Sequence, residues 1–259
     1  MAHTPEYRRI LSLMGFYDYQ SRLIYRHAGQ EGGWDSHTSN CRSFILDAVG
    51  RLSPGTVTVL GSGWLLELPV AEIIESVDRL FLVDIVHPPD LVAQAAAHEK
   101  ITLVEQDVTG GLIREVYDKM KGYSVFRKRR DLSDISIPSY EPGFEPGLVI
   151  SLNILTQMEA LLVDYIRKRS SVSEDEFIIF RKAIQQNHLG FLSRHSSLLI
   201  SDTQEVFTGS GGDTETVKTL LVPLPEGSIK EDWTWDFDLK GSDSYTRKSI
   251  MNVTAIVLG

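Results

Sequence analysis

Residues 56–63 read TVTVLGSG: Thr56, Val57, Thr58, Val59 and Leu60, then Gly61, Ser62 and Gly63. A β-branched apolar run that stops at closely spaced glycines is the pattern of a buried strand ending in a tight turn. The same pattern recurs downstream as LFLVDIV (80–86), ITLVE (101–105), GLVISL (147–152) and the run 197–202. Helical segments separate these runs: 69–77 with Pro69 in its first turn, 90–98, 110–121 led by Gly110 and Gly111, 154–169, and 173–194. The last opens with Ser173 and Glu176 at capping-box spacing. Short apolar strands alternating with helices imply a parallel sheet, because parallel neighbours cannot be joined by tight turns. Such a sheet is covered on both faces, so its strands read as unbroken apolar runs.

Upstream of this core, 4–30 is expected to form one helix, with Thr4 as N-cap and Pro5 in the first turn. Gly32 and Gly33 break it. A second helix is expected over 36–51, where Cys41, Phe44, Ile45, Ala48, Val49 and Leu52 fall on one face. Downstream, 214–222 and 249–258 are strand-like and are expected to be the final pair. Between them Trp233, Trp235 and Phe237 alternate, as expected of side chains packed on a sheet face or of an extra strand. The expected fold class is therefore α/β. It is a Rossmann-like, seven-stranded, mostly parallel sheet with helices on both faces, an antiparallel C-terminal strand and extra N-terminal helices. The expected organisation is one domain over 1–259: a helical cover at 1–52 and an α/β core at 53–259. The segment 123–146, with Pro138, Pro142 and Pro146 spaced by Tyr140 and Phe144, reads as a lid or insertion, or as a mobile surface loop.

The chain has 259 residues and a formal net charge of −9. An acidic chain is a poor partner for polyanions, so no nucleic acid and no membrane surface is expected. The one local exception, Arg127-Lys128-Arg129-Arg130, reads as a solvated helix end. A single cysteine, Cys41, fits a reducing compartment. The opening MAHTPEYRRI lacks the apolar core of a leader, and no apolar run approaches the roughly 20 residues of a span. A cytoplasmic location is the expectation. No metal is expected, because the histidines lack ligand spacing such as HExxH and there is no cysteine cluster.

In an open parallel sheet, ligands bind beyond the carboxyl ends of the strands. The residues there are Gly61-Ser62-Gly63, Asp84, Gln106-Asp107 and Asn153. Glycines let the backbone approach a ligand. A carboxylate about 20 residues beyond them suits the two hydroxyls of a ribose. Asp107 would accept from an exocyclic adenine amine. The set fits an adenosine-containing ligand. A dehydrogenase-type GxGxxG is excluded because Leu66 stands where its third glycine belongs.

On VTVLGSG (57–63), LFLVDIV (80–86), VEQDV (104–108) and LVISLNILTQ (148–157), the sequence resembles the class I S-adenosylmethionine-dependent methyltransferases. The resemblance implies methyl transfer to a small-molecule acceptor, with S-adenosyl-L-methionine as cofactor and S-adenosyl-L-homocysteine as product. It implies cofactor contacts at Gly61, Ser62, Gly63, Trp64, Asp84, Ile85, Gln106, Asp107, Val108 and Asn153. Asn153 would lie by the transferred methyl group, and His37 would be a general base if it faces the cleft; as a residue alone it reads more readily as a cap or surface histidine. The family often has an acidic residue at the position of Val59 and a third glycine at that of Leu65. Leu65 therefore puts a side chain where backbone would approach the cofactor, and Glu67 stands in a longer turn before Pro69. The alternative is a non-catalytic or cofactor-sensing protein on the same fold. Tyr17, Tyr19, Arg22 and Tyr25 would line a substrate pocket or a subunit interface, and a homodimer through the N-terminal helices is a further expectation. His188 reads as a solvated helix histidine.

Overall fold

Thr4 starts the first helix as expected: its hydroxyl accepts the Tyr7 N–H, and Pro5 fills the first turn. In this computed structural model, which describes residues 3–124, 126–241 and 247–258, that helix is α1 (Pro5–Met14). Residues 1–2, 125, 242–246 and 259 of the expected 1–259 domain lie outside the described residues. The single helix expected over 4–30 is in fact two. Gly15 adopts φ +87°, and its N–H closes on the carbonyls of Leu11 and Ser12. A left-handed glycine of this kind stops a helix, and α2 (Phe16–Gly29) sets off from it. The third helix, α3 (Asp35–Leu52), buries Cys41, Phe44, Ile45, Ala48 and Val49 but leaves Leu52 exposed.

The strand β1 (Thr56–Leu60) pairs in parallel with β2 (Arg79–Asp84) on one side and β4 (Leu148–Leu152) on the other. Beyond them lie β3 (Ile101–Glu105) and β5 (Ser197–Thr208), also parallel. The chain thus winds outward from β1 and then returns to start again at β4. The ends of β1 and β4 flank the point where the strand order reverses. Helices α4 (Val70–Ser76), α5 (Pro89–Ala95), α6 (Leu112–Met120), α7 (Ala160–Arg167) and α8 (Glu174–Leu192) connect the strands. The strand side chains alternate between two cores. Val57, Val59 and Ile150 pack with α3 and α4, whereas Leu60 and Val149 pack with α1, α6, α7 and α8.

The antiparallel end differs from the expectation. Among the described residues the sheet has eight strands, where seven were expected, in the order β3-β2-β1-β4-β5-β8-β7, with β6 paired to β5 off this path. The final pair is β7 (Ile229–Asp238) and β8 (Lys248–Leu258), so the Trp233–Phe237 stretch supplies a full strand. The segment β6 (Thr214–Lys218) is only a hairpin arm on the far half of β5, and all its residues are exposed. The physical reason is burial: TETVK has no apolar face, whereas Trp235 and Phe237 pack against α3.

The described residues of 123–146 carry little regular structure but are tied down. Leu132, Ile135 and Tyr140 enter the core beneath α1 and α6, and the Asn187 amide donates to the carbonyls of Ile137 and Pro138. The basic run is not a solvated helix end. Arg129 is buried, pairs with Asp134 and donates to the Asp131 carbonyl. Among the described residues no helix is long and apolar enough to cross a membrane.

Candidate functional site

At the end of β1 the chain turns through Gly61 (φ +80°), Gly63 (φ +49°) and Leu65 (φ +59°). Gly61 is required: a Cβ there would lie 2.8 Å from the Leu152 carbonyl oxygen. Backbone of the glycine turn can thus reach the neighbouring end of β4. Leu65 does not stand over this turn. Its side chain packs toward α4 and α5, and Leu66 and Glu67 reach the cleft instead. Ser62 is buried, and its hydroxyl finds no hydrogen-bond partner.

Asp84 ends β2 directly beside this turn. Its carboxylate accepts the Gly63 N–H at 2.7 Å on one oxygen and the Ile85 N–H at 2.7 Å on the other. The Gln20 amide adds a longer bond of 3.3 Å from α2. A carboxylate has about four acceptor positions, so Asp84 keeps acceptor capacity toward the cleft it lines. Burial raises its pKa, opposed by the backbone N–H of Gly63. Phe16, Tyr19, Gln20 and Leu23 of α2 form the roof at i, i+3, i+4, i+7 spacing, and Trp64 braces it by donating to the Gln20 carbonyl at 3.0 Å. Trp34, Trp235 and Met158 add apolar wall.

Asn153, at the end of β4, takes φ +50°, held by its N–H to the Ile200 carbonyl at 2.8 Å. Its side chain meets His37 Nε2 at 3.0 Å. The structure places His37 behind Asn153 rather than on the cleft wall. The ring is fully buried, stacked on Trp235 at 4.0 Å, with the Trp233 indole donating to Nδ1 at 3.0 Å. Burial lowers its pKa to about 3, which leaves it a weak base. Glu67 lies 3.9 Å from His37 Nε2, and burial raises its carboxyl pKa. His188, expected in solvent, is buried against Ser151 at 2.8 Å, and its pKa falls to about 4 by desolvation.

Asp107 does not join this cleft. One carboxylate oxygen accepts the backbone and side chain of Thr109, and the other accepts the Ile113 N–H at 3.3 Å and the Tyr7 phenol at 3.1 Å. Gln106 bonds to the Tyr140 phenol at 3.1 Å and to the Glu141 carbonyl. Both line a separate depression with His3, Tyr7 and Arg114. His3 meets the Ile85 carbonyl at 2.7 Å, so residues 3–7 lie between the two hollows. Val108 is buried in the core. Of the residues expected at the site, Gly61, Gly63, Trp64, Asp84, Ile85 and Asn153 line one cleft, and Gln106 and Asp107 line another. Sequence reasoning missed Gln20; its signal was a polar residue on the apolar stripe of α2. Among the described residues no group of three or more His, Cys, Asp or Glu side chains could hold a metal ion.

No family model matches the chain, and no curated protein matches it in sequence. Solved structures resemble it distantly. The Burkholderia thailandensis 1,6-didemethyltoxoflavin-N1-methyltransferase, with 1,6-didemethyltoxoflavin and S-adenosylhomocysteine bound, is 12% identical over 100% of this chain and 92% of that one, with a TM-score of 0.39. The DhpI–SAH complex is 13% identical over 96% of this chain and 97% of that one, at 0.32. The 23S rRNA methyltransferase ErmE is 11% identical over 83% of this chain and 68% of that one, at 0.30.

Proposed function

We propose that the cleft at the ends of β1, β2 and β4 binds S-adenosylmethionine and supports methyl transfer to a small-molecule acceptor. The observation that carries this reading is Asp84: a buried carboxylate beside a glycine turn, with acceptor capacity left toward the cleft. The residues fit such a ligand on two counts. Gly61 has no room for a side chain, and Asp84 keeps an open position on the oxygen that takes the Gly63 N–H, so a second ribose hydroxyl would displace the long Gln20 bond on the other. Gly61 and Gly63 would pass beside the methionine half. The cofactor, when bound, supplies an electrophilic methyl on a sulfonium.

The protein's part in such a transfer is alignment and exclusion of water. The aromatic roof of α2, with Trp34 and Trp235, forms a largely apolar wall suited to a flat organic acceptor. Asn153 would orient the acceptor. His37 is held neutral and turned behind Asn153, so the reading involves no proton removal by this histidine. An acceptor that is already a nucleophile at neutral pH fits best. Asp107 holds Tyr7, so the adenine end would be gripped by residues 3–7 and Ile85, or Tyr7 would yield its place to the adenine amine.

A second reading is a cofactor-sensing protein without turnover. The weak basicity of His37 favours it. Calorimetric titration with S-adenosylhomocysteine and with NAD tests the binding claim. Heat with the first ligand alone is expected; heat with NAD alone, or with neither, would remove the reading. Binding without methyl transfer to any acceptor across a broad panel would favour the sensing protein.

A further inference from the structure

His37 sits between two nitrogen donors. The Trp233 indole nitrogen lies 3.0 Å from Nδ1, and the Asn153 amide nitrogen lies 3.0 Å from Nε2. Indole and amide nitrogens only donate, whereas a neutral imidazole has one lone pair and one N–H. Burial keeps His37 neutral, so one neighbour has to accept the ring proton. Trp233 has no acceptor to offer. A half-turn of the Asn153 amide exchanges its nitrogen and oxygen with almost no change of shape. The atom at its other end, Oδ1, is buried and has no hydrogen-bond partner among the described residues. The half-turn removes the conflict with His37 and leaves the NH2 group at the buried, unpartnered position, where it needs an acceptor. Cys41 Sγ, at 3.5 Å from Nε2, offers only the weak acceptor of a thiol, and Glu67 Oε1 lies at 3.9 Å.

We propose that Trp233 and His37 are positioning residues that turn the Asn153 NH2 group into the cleft as a hydrogen-bond donor to a ligand oxygen. The Trp233 N–H donates to His37 Nδ1, and His37 Nε2–H donates to Asn153 Oδ1. The amide hydrogens then take the place of the partnerless atom. The stack of His37 on Trp235, with an interplanar angle of 5°, fixes the ring plane. The Asn153 backbone is pinned to Ile200. Glu67 and Cys41 are the other titratable groups facing the cluster. Burial raises the pKa of both, opposed by a hydrogen bond to the Asn153 side chain, a bond the half-turned amide would keep only by accepting from their protonated forms.

The ligand class is set by the surroundings. Phe16, Tyr19, Trp64 and Trp235 make an aromatic wall, to which the Asn153 amide would add a donor at the end of β4, on a lining that also holds Gln20 and Gln157. Such a site favours a flat apolar molecule bearing a carbonyl or similar oxygen, and disfavours one that presents an N–H there. That this molecule is the methyl acceptor rests on the function proposed above; the hydrogen-bond pattern does not.

Nitrogen-15 NMR of the full chain tests the relay, with the His37 signals assigned by their loss in His37→Gln. One tautomer is expected, with the proton on Nε2, unchanged between about pH 5 and 8. Asn153→Asp keeps an oxygen toward the ring and should retain that tautomer. Trp233→Phe should spread the proton over both nitrogens while circular dichroism stays native. The ligand class is tested by adding acetophenone, or α-methylstyrene of the same shape without the oxygen, with and without S-adenosylhomocysteine. Acetophenone alone should move the Asn153 NH2 signals. A proton on Nδ1, an unchanged tautomer in Trp233→Phe, or equal or absent responses to the two probes would overturn the proposal. Failure of S-adenosylhomocysteine to bind would remove the methyl-transfer reading and leave the tautomer result standing.

Discussion

Asp84 and Asp107 stand at the ends of neighbouring strands, β2 and β3, yet their carboxylates do different work. Asp84 takes two short backbone bonds and a longer one from the Gln20 amide, and still keeps a position toward the cleft. Asp107 takes bonds from Thr109, Ile113 and Tyr7 and has no acceptor position left. The cause is the stretch of chain on the C-terminal side of each residue. After Asp84 the chain runs through Val86, His87 and Pro88 before α5 begins at Pro89. After Asp107 it bends through Gly110 and Gly111 into α6 at Leu112, and the open N–H groups of that helix start draw the carboxylate in. Both helices begin at the same remove from their carboxylate (Asp84 to Pro89, Asp107 to Leu112), but α5 opens on Pro88 and Pro89, which carry no N–H, whereas α6 offers the Ile113 N–H.

The contrast can be broken most forcefully through α1, which carries Tyr7 to Asp107. Leu11 is fully buried in the core. Leu11→Ala should cost about 2–5 kcal/mol of stability in denaturant unfolding, while S-adenosylhomocysteine affinity at Asp84 falls far less. An equal loss of affinity would mean that the two regions act as one. Next in size, Asp84→Asn removes a charged acceptor. It should weaken S-adenosylhomocysteine by about 1.5–3 kcal/mol, roughly ten- to more than a hundredfold, in calorimetry.

Acidification should do to the wild type what that substitution does permanently. The ionised carboxylate is the acceptor, and burial raises its pKa. Affinity is therefore complete above the raised value and is lost as pH falls through it. The onset should lie above the ordinary aspartate value, and Asp84→Asn should show a flat profile there. The smallest effect belongs to Asp107→Asn, which weakens the turn leading into α6. It should cost about 1 kcal/mol, read as a small drop in the thermal midpoint.

The winding of the sheet was legible because each parallel strand is an unbroken apolar run with a polar end, from Thr56–Leu60 to Leu148–Leu152. Strand ends alone also brought Gly61, Gly63, Asp84 and Asn153 to one place. They could not show that Thr109 and Ile113 would claim Asp107, since that depends on where α6 begins. The break at Gly15 was missed because one glycine inside a helical pattern is usually tolerated. The depth of His37 and His188 was missed because a histidine's burial depends on which distant strand covers it: β7 for the first, β4 for the second. The apolar alternation of Trp233, Trp235 and Phe237 held the signal for β7, but nothing local ranked it above 214–222.

The most direct test sets the two carboxylates against each other in one experiment. S-adenosylhomocysteine is titrated into wild type, Asp84→Asn and Asp107→Asn under the same conditions. Tight binding by wild type, a loss of at least about tenfold in Asp84→Asn and near-wild-type affinity in Asp107→Asn is the expected result. No binding by the wild type, or a larger loss in Asp107→Asn than in Asp84→Asn, would contradict the account.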